Sequence, residues 1–96
     1  MENLLNKKVV VRCYYAGNWS GIVTAMDGNR LYLSTAFRLW SWTAKKGISL
    51  SDVANFGVSN GKICSPVNVI LNMNDVYEII ESNDEAFSTI RETSIK

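Results

Sequence analysis

From Val9 to Thr43 the chain alternates apolar residues with polar or aromatic ones. Gly17, Gly21 and the Asp27-Gly28-Asn29 triplet interrupt that alternation where a chain can reverse. This is the period-two pattern of consecutive antiparallel strands. The first strand runs from about Lys8 to Tyr15, with Val9, Val11, Cys13 and Tyr15 pointing one way and Val10, Arg12 and Tyr14 the other. Ala16-Gly17-Asn18 turns the chain into a second strand that opens at Trp19 and ends near Met26. Asp27-Gly28-Asn29 tolerates the positive φ of a tight hairpin. A third strand covers Arg30 to Ser34 and a fourth Phe37 to Thr43. On the fourth, Phe37 and Leu39 face one way, and Arg38, Trp40 and Trp42 the other. One face must build the core, so the other needs a covering element or a partner.

Beyond Lys45-Lys46-Gly47 the pattern changes. Ser49 and Asp52 are spaced as a capping box, Gly57 suits a C-terminal cap, and Leu50, Val53, Ala54 and Phe56 predict a short amphipathic helix between them. Asn60-Gly61 reads as a turn, and Lys62 to Ser65 as a short strand ended by Pro66. Val67 to Leu71 and Asp75 to Glu81 are strand-like, with Asn72-Met73-Asn74 as a kink between them. Ser82-Asn83-Asp84-Glu85 is a second capping box, and the helix it starts runs to about Ser94. The expected architecture is a single α+β domain over residues 1–96. It is a curved antiparallel sheet of about five to six strands with two short helices.

Composition narrows the function. Ninety-six residues leave no room for a second core, and 47% hydrophobic with 20% charged residues is enough to bury one. Net charge is +1, from ten basic and nine acidic residues, which argues against a protein built to coat duplex nucleic acid or a membrane surface. There is no histidine, so the commonest general base and metal ligand are both missing. Cys13 and Cys64 are isolated thiols without metal-ligand spacing and read as small buried hydrophobes. No apolar run approaches the roughly 18 residues of a membrane span, and the first eight residues do not resemble a signal peptide. The expectation is a cytoplasmic protein that is not an enzyme and holds no metal or cofactor.

Binding chemistry is better represented. The stretch from Val9 to Thr43 holds all three tryptophans, three of the four tyrosines and three of the four arginines. Indole faces stack on nucleobases, and a guanidinium is a planar fork for phosphate oxygens. Arg12, Arg38, Trp40 and Trp42 can share one sheet face. Equally, Trp40 and Trp42 can be packing aromatics under a helix or at a subunit contact, and Arg38 can pair with Asp75 or Glu78. Trp19, beside a turn between two glycines, is expected to escape deep burial. Asn72 and Asn74 bracket the kink, where their amides can read a base edge or satisfy local backbone groups. The glycine-hinged middle of the chain also reads like a small SH3-like or Sm-like barrel, a scaffold that binds single-stranded RNA or peptides on loop aromatics.

Five blocks together carry a more specific likeness. They are Val-Val-Val-Arg-Cys-Tyr-Tyr-Ala-Gly (9–17), Ala-Phe-Arg-Leu-Trp-Ser-Trp (36–42), Ser-Leu-Ser-Asp-Val-Ala-Asn-Phe-Gly-Val-Ser (49–59), Asp-Val-Tyr-Glu-Ile-Ile (75–80) and Glu-Ala-Phe-Ser-Thr-Ile-Arg-Glu (85–92). In this order they resemble the first family of Thoeris anti-defence proteins, the phage sponges. That resemblance implies a protein that binds cyclic ADP-ribose isomers made by bacterial TIR-domain immune proteins and holds them without breaking them. It also implies a homodimer with its pocket between protomers, or a hexamer that additionally takes the cyclic di- or trinucleotides of CBASS defence. By position, the family's ligand-contacting arginines fall on Arg38 and Arg91. A polar contact falls on Asn74, next to Asp75, and an aromatic near Trp19, with Trp40 in the arginine block as a further candidate. The family's aromatic around Ile63 to Ser65 has no counterpart in this chain.

Overall fold

Val9, Val10 and Val11 are three consecutive residues on one strand, and all three are fully buried. A strand alternates its side chains between faces, so the sheet around them is covered on both sides. The structure, a computed structural model, describes residues 2–95. Its sheet is built from β1 (Lys8–Cys13), β2 (Asn18–Asp27), β3 (Arg30–Ala44), β4 (Val58–Ile63), β5 (Val67–Asn72) and β6 (Val76–Glu81). Two helices complete the domain, α1 (Leu50–Phe56) and α2 (Asp84–Ser94).

All strand pairings are antiparallel, in the order β4-β3-β2-β1-β6, with β5 also on β3. β4 and β5 share one edge of β3: β5 pairs with Arg30 to Ala36, and β4 with Leu39 to Ala44. β6 lies at the far edge, on β1. Yet only Met73, Asn74 and Asp75 separate β5 from β6. So short a link can join opposite edges only if the sheet curls, and it does, into a half-barrel. The link is tied at both ends, by Met73 N–H to the Asn29 carbonyl (2.7 Å) and by Tyr14 N–H to the Asp75 carbonyl (2.9 Å).

Two apolar layers result. Val9, Val11, Cys13, Trp19, Val23, Leu31, Leu33, Ala36 and Leu71 fill the inside of the curl. Val10, Phe37, Leu39, Val53, Ala54, Phe87 and Ile90 belong to the outer layer, between the sheet and the helices. Gly21, on β2, lies against Ala36, with only 3.2 Å left for a Cβ, which lets the curled strands approach closely.

The third and fourth strands expected from the sequence are one strand of 15 residues. The reason is Thr35, which adopts φ 47° and bends β3 without ending it; its N–H donates to Asn68 Oδ1 at 3.3 Å. The bend also moves the inner layer's contribution from Leu33 to Ala36, so Phe37 and Leu39 fall under the helices. A second register shift lies between Leu39 and Ser41. One extra residue there reverses the alternation, so Trp42 packs with Phe37 and Leu39 and not beside Arg38 and Trp40 as the simple pattern predicts.

The first capping box forms as expected: Ser49 Oγ accepts from Asp52 N–H, and Asp52 accepts from Ser49 N–H. Gly57 follows with φ 85°, and a Cβ there would collide with Thr89 Oγ1 of α2. Phe56, by contrast, is exposed on the outside of α1. At α2 the cap is Asn83 and not Ser82: Asn83 Oδ1 accepts from Ala86 N–H at 2.8 Å. Ser82 Oγ instead donates to the Ala54 carbonyl (2.7 Å), and Asn83 Nδ2 to the Asn55 carbonyl (2.9 Å), so both satisfy the open end of α1. Asn60-Gly61 is not a turn but lies inside β4, with Gly61 at φ 154° against the backbone of Ser41 and Trp42.

Candidate functional site

Where β1 hands over to β2, the chain makes a tight loop that leans on β3. Cys13 N–H donates to the Gly17 carbonyl at 2.9 Å, closing the turn. Gly17 holds φ 88°, a conformation that favours glycine. From across the molecule, Asp75 receives Tyr15 N–H on Oδ1 (2.8 Å) and Ala16 N–H on Oδ2 (3.0 Å). Both carboxylate oxygens are therefore spent on the loop backbone. Asp75 shapes this site by fixing its wall.

Trp19 follows the loop and is only 3% exposed, against the shallow position expected for it. Trp19 pairs with Val11 of β1, and its indole points into the inner layer with Val11 and Cys13. Its Nε1–H donates to the Ala16 carbonyl at 3.1 Å, satisfying the one polar atom it buries. Arg38 sits opposite Trp19 in the β2–β3 register, and its guanidinium carbon lies 4.4 Å from the ring centroid. Among the described residues the ion pairs are Lys7–Glu81, Lys8–Asp84 and Arg12–Glu78, so neither Asp75 nor Glu78 pairs with Arg38. A flat cation thus lies on a buried ring with its other face toward solvent.

Around it is an open groove of about 310 Å³, lined by Tyr15, Ala16, Gly17, Asn18, Arg38, Leu39 and Trp40. Tyr15 is 96% exposed and Trp40 73% exposed, so both rings are available. Trp40 is free because it is the extra residue at the Leu39/Ser41 shift, outside either apolar layer. The Cys13 thiol lies below. Burial first, and then the charge of Asp75, push its pKa up to about 11, against a lowering influence from Arg38. It is a thiol and not a thiolate at neutral pH.

The residues singled out from the sequence thus divide. Arg38, Trp19, Trp40 and Asp75 converge on one loop–strand groove, as floor, support, rim and tether. Asn74 does not line it: this residue is exposed in the β5–β6 link, its N–H donating to Asn72 Oδ1 at 2.9 Å. Arg91 is exposed on α2, the helix that packs on the Phe37 and Leu39 side of the sheet. Arg38, paired with Trp19 of the inner layer, rises from the opposite side of β3, and Arg91 is not among the residues lining its groove. Tyr15 was missed, although Tyr14-Tyr15 directly before the Ala16-Gly17 turn is a visible signal for exposed rings. Cys64 is exposed, not buried as expected, since β4 ends at Ile63 and leaves it in the link to β5.

Among the described residues, no group of three or more Cys, Asp and Glu side chains is placed to hold a metal ion. No described helix is long and apolar enough to cross a membrane. A protein-family model, described as a domain of unknown function (DUF6948), matches residues 6–90, so the chain belongs to that family. No curated protein sequence matches the chain.

Proposed function

We propose that this member of the DUF6948 family is a phage-type anti-defence protein that binds cyclic ADP-ribose isomers and keeps them intact. The signal then never reaches the host effector, and the protein acts in the host cytoplasm. Cyclic oligonucleotides of CBASS defence are a second ligand class under the same reading. The observation that carries it is Arg38, a guanidinium without an acid partner among the described residues, laid on the buried Trp19 ring between the exposed rings of Tyr15 and Trp40. That arrangement offers a phosphate a planar cation and a base two aromatic faces. Sequestration asks for affinity and abundance and for no general base, in keeping with a chain that has no histidine.

The ligand's identity rests on the family likeness of the sequence blocks. A doubly phosphorylated ring calls for a second cation, and Arg91 can supply it only from another copy of the chain. The assembly proposed is therefore a homodimer, or a hexamer of such dimers, with the groove completed at the interface. The test is mass spectrometry of the small molecule that the protein carries out of cells expressing an active TIR signal producer. A cyclic ADP-ribose isomer recovered unbroken supports the proposal. Protein that comes out empty, or carries a cleaved product, contradicts it.

A second reading has its own observation. The curled sheet with Tyr14, Tyr15, Tyr77 and Trp40 exposed on it suits a small barrel that binds single-stranded RNA. That reading predicts salt-sensitive oligonucleotide binding and indifference to cyclic ADP-ribose.

A further inference from the structure

Next to the groove is a second aromatic surface. Arg12 and Tyr14 continue the side of β1 that carries Val10, but they lie past the part that the helices cover, and both are exposed. Tyr77 on β6 meets Tyr14 edge to face, with ring centroids 4.8 Å apart. Tyr14 is 67% and Tyr77 59% exposed. Tyr14 in turn lies 6.4 Å from Tyr15, which forms the near wall of the Arg38 groove. The rings therefore form one continuous path from Tyr77 through Tyr14 and Tyr15 to the groove.

The two arginines on this path are in different states. Among the described residues, Arg38 has no carboxylate partner. Arg12 lies 5.4 Å from the Tyr77 ring centroid and 3.8 Å from Glu78, so unlike Arg38 it has a carboxylate beside it. The groove holds about 310 Å³, at the lower end of the roughly 300–1,000 Å³ usual for ligand pockets, which is room for about one nucleotide. We infer that Tyr14 and Tyr77 form a second subsite, one that takes a flat heteroaromatic ring but no phosphate. Within the proposed function, this subsite serves the second ligand class, two bases joined through a phosphodiester, with one nucleotide in the Arg38 groove and the second base on Tyr77. This rests on reading the Arg38 groove as a nucleotide site.

Calorimetric titration of the full chain with AMP, ADP and the linear dinucleotide pApA tests both levels. ADP adds charge without a second base. The expected result is that pApA binds about tenfold or more tighter than either mononucleotide. Tyr77→Ala abolishes that gain and leaves AMP affinity unchanged, Tyr77→Trp retains the gain, and Arg38→Ala weakens all three. ADP binding as tightly as pApA, or a gain that survives in both Tyr77→Ala and Tyr14→Ala, overturns the second subsite while AMP binding leaves the groove standing. Absence of AMP binding by the unmodified chain overturns the groove reading and the subsite with it.

Discussion

Arg38 and Trp19 face each other across the β2–β3 ladder, with the guanidinium 4.4 Å from the indole centroid. The buried ring belongs to the core and the exposed cation to the surface, so the pair couples the inner layer of the half-barrel to the groove above it. Its two halves should respond differently to mutation.

Trp19→Ala removes a large side chain from the inside of the curl, and should lower stability by about 3–5 kcal/mol. Arg38→Ala loses only an exposed cation–π contact, about 0.5–1 kcal/mol. Urea unfolding of the two variants separates these roles. Equal losses would mean that Arg38 is a structural residue.

Asp75→Asn puts an amide where the carboxylate accepts two backbone N–H groups, from Tyr15 and Ala16. One donor then lacks an acceptor, at a cost of about 1–3 kcal/mol. Amide exchange at Tyr15 and Ala16 should accelerate while exchange in the centre of β1 changes less. Unchanged exchange at both loop amides would show that the tether does not hold the wall.

The two thiols should react very differently. Cys64 is exposed and Cys13 is buried with its pKa raised to about 11, so a thiol reagent at neutral pH should label one site quickly and the other only on unfolding. The raised value also has a sign for stability. The folded chain keeps a proton that the unfolded chain loses, so this contribution is intact below pH 9 and falls as pH rises toward 11. Cys13→Ala should flatten that alkaline decline.

At the acid end the sign reverses. The backbone N–H of Ser49, then its hydroxyl, then the N–H of Ile48 hold the Asp52 carboxyl below its ordinary value. Its contribution is present above the unfolded pKa of about 3.9 and disappears as pH falls through the lower folded value. Asp52→Asn should therefore weaken the helix cap near neutral pH and reduce the dependence of stability on pH in the acid range, followed by circular dichroism.

Local chemistry was what the sequence made readable. The Ser49/Asp52 cap, the hairpin between Asp27 and Arg30, and the period-two strands all depend on neighbours within a few residues. Features set by distant parts of the chain were not legible. Thr35 bends β3 without breaking it, because Asn68 on β5 meets its N–H and β-pairing resumes at Ala36. Ser82 and Asn83 divide their work between capping α2 and closing α1, which requires knowing that the helix ends meet. Trp19 is buried because its pairing with Val11 turns it into the inner layer of the curl, and Trp42 changes face because of one extra residue at the β3–β4 pairing. The candidate site followed the same rule. Arg38 and Trp40 stood out by residue type, and Tyr15 carried a readable signal of exposure, whereas its place as a wall beside Arg38 depends on the distant Asp75 tether.

On the proposed function, Arg38, resting on Trp19, holds the phosphate of a nucleotide signal. Calorimetry with cyclic ADP-ribose isomers on the unmodified chain and on Arg38→Ala addresses it most directly, with urea midpoints measured in parallel. At least one isomer should bind tightly, with binding weakened about tenfold or more by the substitution and stability reduced by no more than about 1 kcal/mol. Equal affinity in both proteins, or no heat of binding with any isomer, would contradict it.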